Sequence, residues 1–523
     1  MATSVSSDRP PAAPAPDGDV RIEPFDRYNQ ELVANVHPAG WVNPEPRRER
    51  YHLVVIGAGT AGLVTESIAA GLGARVALVE RYLMGGDCLN VGCVPSKAII
   101  SAARSWQTAA ESSRRFGGPA VMGTGDFAAA MSRMRRLRAG ISHVDGAPRY
   151  RDLGVDVFLG EGRFTARDTL MVGSTALRFR RAVIATGARA ARPPIPRLEE
   201  TGYLTNETIF TLTELPRRLT VIGAGPIGCE LAQAFARFGS AVTLIDRGAR
   251  VLPRDDADAA GIVERAMQAH GVRLLHHATV TRAELRGGER VVHVEIAGRA
   301  EEIAGDQLLV ATGRAPNVEG LGLDAAGVAH DRRGVTVDDK LRTSNSLIFA
   351  VGDICSKYQF THAADATARL VVANALFFGI GGGKVSRLVM PWATYTTPEV
   401  AHVGLSAADA TAAGHGLQTL TVPLRDVDRA VLDGQEDGFL RVHVKQGTDR
   451  ILGATLVAEH AGDMIGEIAL AITAGIGLAR IGSTIHPYPT QGEVFRKAAD
   501  AWRRTKLTPT AKRAFRTFFR LIG

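Results

Sequence analysis

The sequence predicts an α/β fold of about three domains, and three observations carry the prediction. Its 523 residues exceed one ordinary core, and 45% of them are hydrophobic, enough to fill several. Fifty-seven glycines, many in G-x-G clusters, suit loops that approach a bound cofactor better than a helical bundle. One pattern of strand, glycine loop, helix and strand occurs twice.

From Met1 to about Val20 the chain is rich in Pro, Ala, Ser and Asp, with no apolar run behind a basic start. That composition predicts a disordered tail and no export signal. Phe25 to Arg50, with Trp41, is more apolar and is expected to pack along the first domain. The first unit then begins. Tyr51–Ile56 reads as a buried strand, Gly57-Ala58-Gly59-Thr60-Ala61-Gly62 as a phosphate loop opening a helix, and Arg75–Glu80 as the second strand. Gly57 permits the tight turn, Gly59 lets amides approach a pyrophosphate, Gly62 allows close helix packing, and Glu80 is placed to accept from a ribose hydroxyl.

The second unit repeats this with Leu219–Ile222, Gly223, Gly225 and Gly228, a helix through Phe238, and Ala241–Asp246. Gly57 to Gly223 and Glu80 to Asp246 share one offset of 166 residues, so the chain carries two dinucleotide sites. Asp246 favours a free ribose 2′-hydroxyl and repels a 2′-phosphate, which points to NADH. Arg247 and Arg250 could each reach a 2′-phosphate, which keeps NADPH open.

Between the units lies Gly85-Gly86-Asp87-Cys88-Leu89-Asn90-Val91-Gly92-Cys93-Val94-Pro95-Ser96-Lys97, with two of the four cysteines five positions apart. Thiols so close to a cofactor loop point to redox work beside that cofactor. Cys229 and Cys355 have no partner nearby in sequence and read as structural.

With these motifs in place, the chain resembles the class I pyridine nucleotide-disulfide oxidoreductases, which include dihydrolipoamide dehydrogenase, glutathione reductase and mercuric reductase. Further blocks carry the likeness over roughly residues 51 to 500: Ala185-Thr186-Gly187, Ala311-Thr312-Gly313-Arg314-Ala315-Pro316-Asn317, Gly352-Asp353, and Pro398-Glu399-Val400-Ala401 with Val403-Gly404. The resemblance implies two Rossmann-like dinucleotide-binding domains and a C-terminal α+β interface domain. An extension over 1–50 would precede an FAD-binding domain over 51–205 and 339–387. An NAD(P)-binding domain over 206–338, an interface domain over 388–505 and a basic tail over 506–523 complete the expected organisation.

By the same resemblance, FAD belongs to Gly57, Gly59, Gly62, Glu80, Thr186, Gly187, Gly352 and Asp353, and the nicotinamide cofactor to Gly223, Gly225, Gly228, Asp246 and Gly313. Cys93 matches the thiolate nearest the flavin, and Cys88 the interchange thiol. The expected start of a helix at Cys93 agrees, because aligned peptide dipoles favour a thiolate there. Lys97 and Glu230 match an ion pair beside the flavin and nicotinamide. Homodimeric assembly is implied, with Tyr488 and Glu493 contributed across the dimer.

One segment departs from the thiol-reducing members, which carry His-Pro-Thr-x-x-Glu. Here the stretch is His486-Pro487-Tyr488-Pro489-Thr490-Gln491-Gly492-Glu493, so Tyr488 stands at the histidine position and His486 falls two residues early. A phenol of pKa near 10 cannot replace imidazole as a proton acceptor at neutral pH, and positioned proton transfer is worth about 100- to 10,000-fold. Mercuric reductases have a tyrosine at this place, and thiolates suit soft metals. The expected acceptor is therefore Hg(II) or another soft metal ion, held transiently by Cys88 and Cys93, with a quinone or small disulfide left open. The vicinal terminal cysteines of mercuric members have no counterpart here, since no cysteine follows Cys355. Two alternatives stand beside this reading: a dihydrolipoamide dehydrogenase-type enzyme and a non-catalytic redox-sensing flavoprotein.

A net charge of +8 is modest for this length and does not imply nucleic acid. The longest apolar runs, Leu370 to Gly383 and Ile468 to Ala479, are too short to span a bilayer. A cycling thiol pair suits a reducing compartment, so the cytoplasm is expected. After Pro509, Phe515, Phe518, Phe519 and Ile522 recur at i, i+3, i+4 and i+7 among basic residues. This amphipathic helix is expected to cover an apolar strip of the interface domain, or else to touch an anionic membrane surface through residues 510–522.

Overall fold

The computed structural model describes residues 20–46, 49–121, 125–377 and 379–523. The disorder expected of the first part of the chain falls on residues 1–19, outside the described residues.

Strands Asp156–Leu159, Val76–Glu80, Tyr51–Ile56, Thr175–Ile184 and Ile348–Ala350 lie side by side in that order and run parallel. The first strand is buried on both faces, which explains its continuous apolar run. Val54 and Ile56 join one core with Phe158 and Phe179, whereas Leu53 and Val55 join another with Ala61, Ala69 and Val371 from the covering helices Thr60–Gly71 and Thr361–Leu376. The opening residues of Thr175–Ile184 pair antiparallel with Thr169–Val172, which pairs in turn with Gly162–Ala166. One long strand thus belongs to two layers.

The second unit repeats the plan in smaller form. Val272–Leu275, Ala241–Ile245, Arg218–Ile222 and Gln307–Val310 form a parallel sheet in that order, and Ala278–Arg286, Glu289–Ile296 and Arg299–Gly305 form an antiparallel meander. The chain passes between the units where Ala188–Ala190 pairs antiparallel with Arg314–Pro316, immediately after the two A-T-G blocks. By Leu321 it lies on the first sheet again: Phe164 N–H donates to Leu321 O at 2.8 Å, and Leu323, Val328 and Val335 share a core with Tyr51 and Val54.

The last domain is an antiparallel sheet of Pro391–Thr394, Glu399–Gly404, Ile451–Ala458, Phe439–Lys445 and Leu417–Pro423. Helix Glu493–Thr505 packs on it through Val494, Phe495, Ala498 and Ala499, which meet Leu440, Val442 and Leu456 in one core. The next helix, Pro509–Leu521, does not cover an apolar strip of this domain. Phe515, Phe518, Phe519 and Ile522 are more than half exposed, because the preceding helix already fills the sheet's apolar face.

The segment before the first strand packs on the first domain. Asp26 caps helix Arg27–Val36 by accepting from Tyr28 N–H and Asn29 N–H, and Leu32, Val33 and Val36 join Leu78, Met84 and Leu89 in a core. Arg138 links this helix to the cysteine loop, donating to Asn29 Oδ1 and to Asn90 O at 2.6 Å each. Among the described residues, no helix is long and apolar enough to cross a membrane.

Candidate active site

Both glycine loops are shaped by the same steric demand. Gly57 and Gly223 have φ of +103° and +108°, and a Cβ on either would lie 2.4 or 2.5 Å from the carbonyl oxygen of Ala185 or Ala311. A Cβ on Gly62 or Gly228 would lie 1.8 or 1.9 Å from the oxygen of Gly57 or Gly223. Only glycine lets each helix start so close to its strand.

The acids at the strand ends also act alike. Ala58 N–H donates to Glu80 Oε2 at 2.7 Å, and Ala224 N–H donates to Asp246 Oδ2 at 2.7 Å, each across 22 residues. Tyr82 N–H and Gly248 N–H hold the other oxygens. Each acid is therefore fixed at the loop while still bordering the cavity. Burial nonetheless pushes the Glu80 carboxyl above its ordinary value.

One cavity of about 2720 Å³ connects both loops, both cysteines, Thr186, Gly187, Gly313, Gly352 and Asp353. It reaches from one glycine loop past the thiols to the other. Neither helix Thr60–Gly71 nor helix Pro226–Phe238 has a side-chain cap, so the N–H groups of their first turns, which in the second helix begin after Pro226, are free to meet pyrophosphate oxygens at the positive ends of the helices. Gly62 and Gly228 act behind this surface, in the packing.

The thiols occupy two consecutive helices. Cys88 lies on Gly86–Asn90, and Cys93 is the first residue of Cys93–Phe116, where the aligned peptide dipoles favour an anion. Cys93 is pulled down from 9.0 to about 6, first by the hydrogen bond from the Cys88 thiol, against burial, and then by Thr361 and the Lys97 ammonium. The same bond, with burial, pushes Cys88 upward. Thr361 Oγ1 lies 3.4 Å from Cys93 Sγ at the start of helix Thr361–Leu376. Both shifts run in the direction that favours the thiolate at Cys93 and the proton on Cys88.

Lys97, one turn beyond Cys93, reaches Glu230 on the second fingerprint helix, with Nζ 2.7 Å from Oε2. Glu230 Oε1 accepts from Tyr395 N–H at 2.9 Å, and the Lys97 ammonium lies 4.5 Å from the centre of the Tyr395 ring. Burial pulls Lys97 down, but Glu230 outweighs it and leaves the ammonium above its ordinary value. Cys93, Lys97 and Glu230 are therefore brought together.

Asp353 belongs to a second polar group. Half-buried Arg314 pairs with Asp353 at 3.3 Å and with Asp87, and donates to Ala188 O at 2.8 Å. Burial raises the Asp353 carboxyl, Arg314 lowers it, and the net shift is upward. Arg314 thereby ties the residue beside Cys88 to the acid of the first cofactor region. Sequence reasoning assigned no role to Arg314 or Asp87, although both lie inside the motifs quoted for the resemblance. Nothing in the sequence singled out Thr361 or Tyr395.

Tyr488 and Glu493 do not border this cavity within the chain. Tyr488 is exposed and donates to Asp428 Oδ2 at 2.9 Å, and that bond raises the phenol above its ordinary 10.0. Glu493 is buried at the start of its helix and bound by Arg496 at 2.5 Å. His486 pairs with Glu467 at 3.0 Å, so it is engaged away from Glu493. Of the remaining cysteines, Cys229 is buried and donates to Ala224 O, while Cys355 borders the cavity and is pushed by burial to about 12. Among the described residues, no group of three or more His, Cys, Asp and Glu is placed to hold a metal ion.

Comparison with known proteins points to one family. The profile described as pyridine nucleotide-disulphide oxidoreductase matches residues 51–368, and the profile of that family's dimerisation domain matches residues 390–499. The chain is 36% identical to a mercuric reductase of Bacillus cereus over 446 residues, which is 85% of this chain and 70% of that protein. It is 29% identical to the dihydrolipoyl dehydrogenase of Bacillus subtilis (strain 168), over 86% of this chain and 97% of that one. Among solved structures, the Cu(II) complex of the HOCl-induced flavoprotein disulfide reductase RclA from Escherichia coli superimposes with a TM-score of 0.77 at 29% identity, covering 86% of this chain and 99% of that one.

Proposed function

The chain belongs to the pyridine nucleotide-disulphide oxidoreductases, whose members contain FAD and take electrons from NAD(P)H, and from that premise we propose that it delivers those electrons through Cys93 and Cys88 to a soft metal ion such as Hg(II). The observation that carries the reading is the polarised thiol pair. Cys93 begins a helix with Thr361 Oγ1 at 3.4 Å and Lys97 one turn on, all favouring its thiolate, while the neighbouring Cys88 is shifted toward the protonated form.

Bound FAD supplies the exchange of a nicotinamide hydride for the two electrons that a disulfide accepts. The residues do the rest. Two electrons and one proton break the Cys88–Cys93 bond, the proton going to Cys88 and the second sulfur remaining a thiolate. Lys97 compensates that thiolate, and Glu230 holds Lys97 in place. A divalent soft cation then displaces the Cys88 proton and is held by both sulfurs. Passing the sulfur electron pair to the cation re-forms the S–S bond and leaves the metal two electrons richer.

Tyr488 supports a metal acceptor over a disulfide. Its phenol is already a donor to Asp428 and cannot accept a proton near neutral pH, so release of a thiol leaving group lacks help. A metal acceptor needs no proton there. The mercuric reductase relative agrees with soft-metal chemistry, and the structural neighbour was solved as a Cu(II) complex. The dimerisation domain supports a homodimer in which Tyr488 and Glu493 face the other protomer's thiols. The cycling thiols suit a cytoplasmic setting.

NADH is the preferred donor in this reading. Asp246 borders the cavity, and Arg250 is occupied by Asp255 O at 2.9 Å and Pro253 O at 3.1 Å, leaving Arg247 as the nearer cation for a 2′-phosphate. NADH oxidation should exceed NADPH oxidation, and Asp246→Ser should narrow the gap by about tenfold. An unchanged ratio would overturn the preference.

The acceptor is tested by following NADH oxidation by the FAD-loaded protein with Hg(II), Cu(II), lipoamide and a quinone. Turnover with a metal ion should exceed the others. Lipoamide turnover well above the rest would make the protein a dihydrolipoamide dehydrogenase-type enzyme, and no turnover with any acceptor would leave a redox-sensing flavoprotein.

A further inference from the structure

The helix Pro509–Leu521 has no part in this chemistry. Thr508 caps it by accepting from Ala511 N–H at 3.2 Å, and Pro509 occupies the first turn, where its missing N–H costs nothing. Its side chains separate cleanly by face. Phe515, Phe518, Phe519 and Ile522 share one side, and Lys512, Arg513, Arg516 and Arg520 share the other. The apolar side is uncovered: these four residues are 52%, 54%, 62% and 64% exposed, and none joins a core of the chain.

Charge selects the occupant. Residues 501–523 contain seven Lys and Arg and no Asp or Glu. A second copy paired through the apolar sides would leave every cation facing solvent without a counter-charge, whereas an anionic lipid surface accepts the aromatic side chains and neutralises the cations together. Thirteen residues make a helix about 20 Å long, too short to cross a bilayer but suited to lying in its interface. The anchor is firm, because Lys506–Thr508 is a short link to helix Glu493–Thr505, which is packed on the interface domain.

We infer that Pro509–Leu521 docks the protein on an anionic membrane surface, its Phe side in the acyl boundary and its Lys and Arg side at the headgroups. This inference is independent of which acceptor the thiols reduce.

The test is co-sedimentation of the full-length, FAD-loaded protein with vesicles of phosphatidylcholine alone or with about a third phosphatidylglycerol. Binding should require the anionic lipid and weaken with salt. Phe515→Ser with Phe518→Ser and Phe519→Ser, or separately Lys512→Gln with Arg513→Gln, Arg516→Gln and Arg520→Gln, should each lower the bound fraction roughly tenfold. NADH oxidation and FAD content should stay at native levels in both variants. Protein that stays in the supernatant with anionic vesicles, or variants that sediment like the native chain, would overturn the inference. So would conversion of a dimer to monomers by the Phe substitutions, which would identify a second copy as the occupant.

Discussion

Lys97 Nζ and Glu230 Oε2 lie 2.7 Å apart across 133 residues of sequence, joining the helix that starts at Cys93 to the helix that follows the second glycine loop. Glu230 also receives Tyr395 N–H from the beginning of the interface domain, so all three domains meet at this pair. Its ammonium favours the Cys93 thiolate, while its carboxylate is 6% exposed and depends on the lysine for compensation.

Lys97→Met should therefore strand the Glu230 carboxylate. The expected loss is about 1–3 kcal/mol, below that of a fully buried pair because the Lys97 side chain is 35% exposed. Adding Glu230→Gln should recover most of it. Urea unfolding of the FAD-loaded single and double variants checks this, and a single variant as stable as the native chain would refute it.

The thiol pair predicts a pH profile. Cys93 sits at about 6 in the folded chain against an ordinary 9.0, so its thiolate contributes stability that is fully present above the ordinary value and is lost as pH falls through about 6. In the reduced protein, alkylation of Cys93 by iodoacetamide should rise through pH 6 and then level off. Cys88, shifted upward, should react slowly throughout that range. Cys88→Ala, which removes the donor, should move the Cys93 midpoint toward alkaline pH, since the hydrogen bond from Cys88 is the main cause of the depression. An unmoved midpoint would assign the shift to the helix start and Lys97 alone.

The two loops should fail independently. Gly62→Ala places a methyl 1.8 Å from the Gly57 oxygen and should abolish flavin retention, measured as FAD per chain after gel filtration. Gly228→Ala makes the equivalent clash with Gly223 at 1.9 Å and should leave FAD in place while NADH-dependent reduction falls by about tenfold or more. Retained flavin in the first variant would show that its loop can shift.

Tyr488→His places an imidazole where the phenol now donates to Asp428. If proton transfer is what limits disulfide acceptors, lipoamide turnover should rise by about 100-fold while metal-ion turnover changes little. Parallel assays on the native and variant proteins decide it, and an equal change for both acceptors would remove Tyr488 as the discriminating residue.

Much of this organisation was legible before any coordinate. Gly62 and Gly228 sit where a Cβ would strike backbone five residues away, and Glu80 and Asp246 close on their own loops, so these parts of both dinucleotide folds were written as local patterns, whereas Gly57 and Gly223 are constrained by the distant Ala185 and Ala311. The start of a helix at Cys93 was legible for the same reason. The tail was legible only in part: its amphipathic pattern fixed the helix, but whether the apolar side found a core depended on the helix before it having already filled the sheet's face.

Sequence by itself thus determined the two cofactor folds, the thiol pair and the substitution at Tyr488, because steric and hydrogen-bonding demands there act between near neighbours. Tertiary structure decided which distant groups surround the thiols. Thr361 reaches Cys93 across 268 residues, and Arg314 reaches Asp87 across 227. Such contacts arise from how separately folded sheets pack and where the chain crosses between them, and that packing leaves no spacing in the sequence from which to read it.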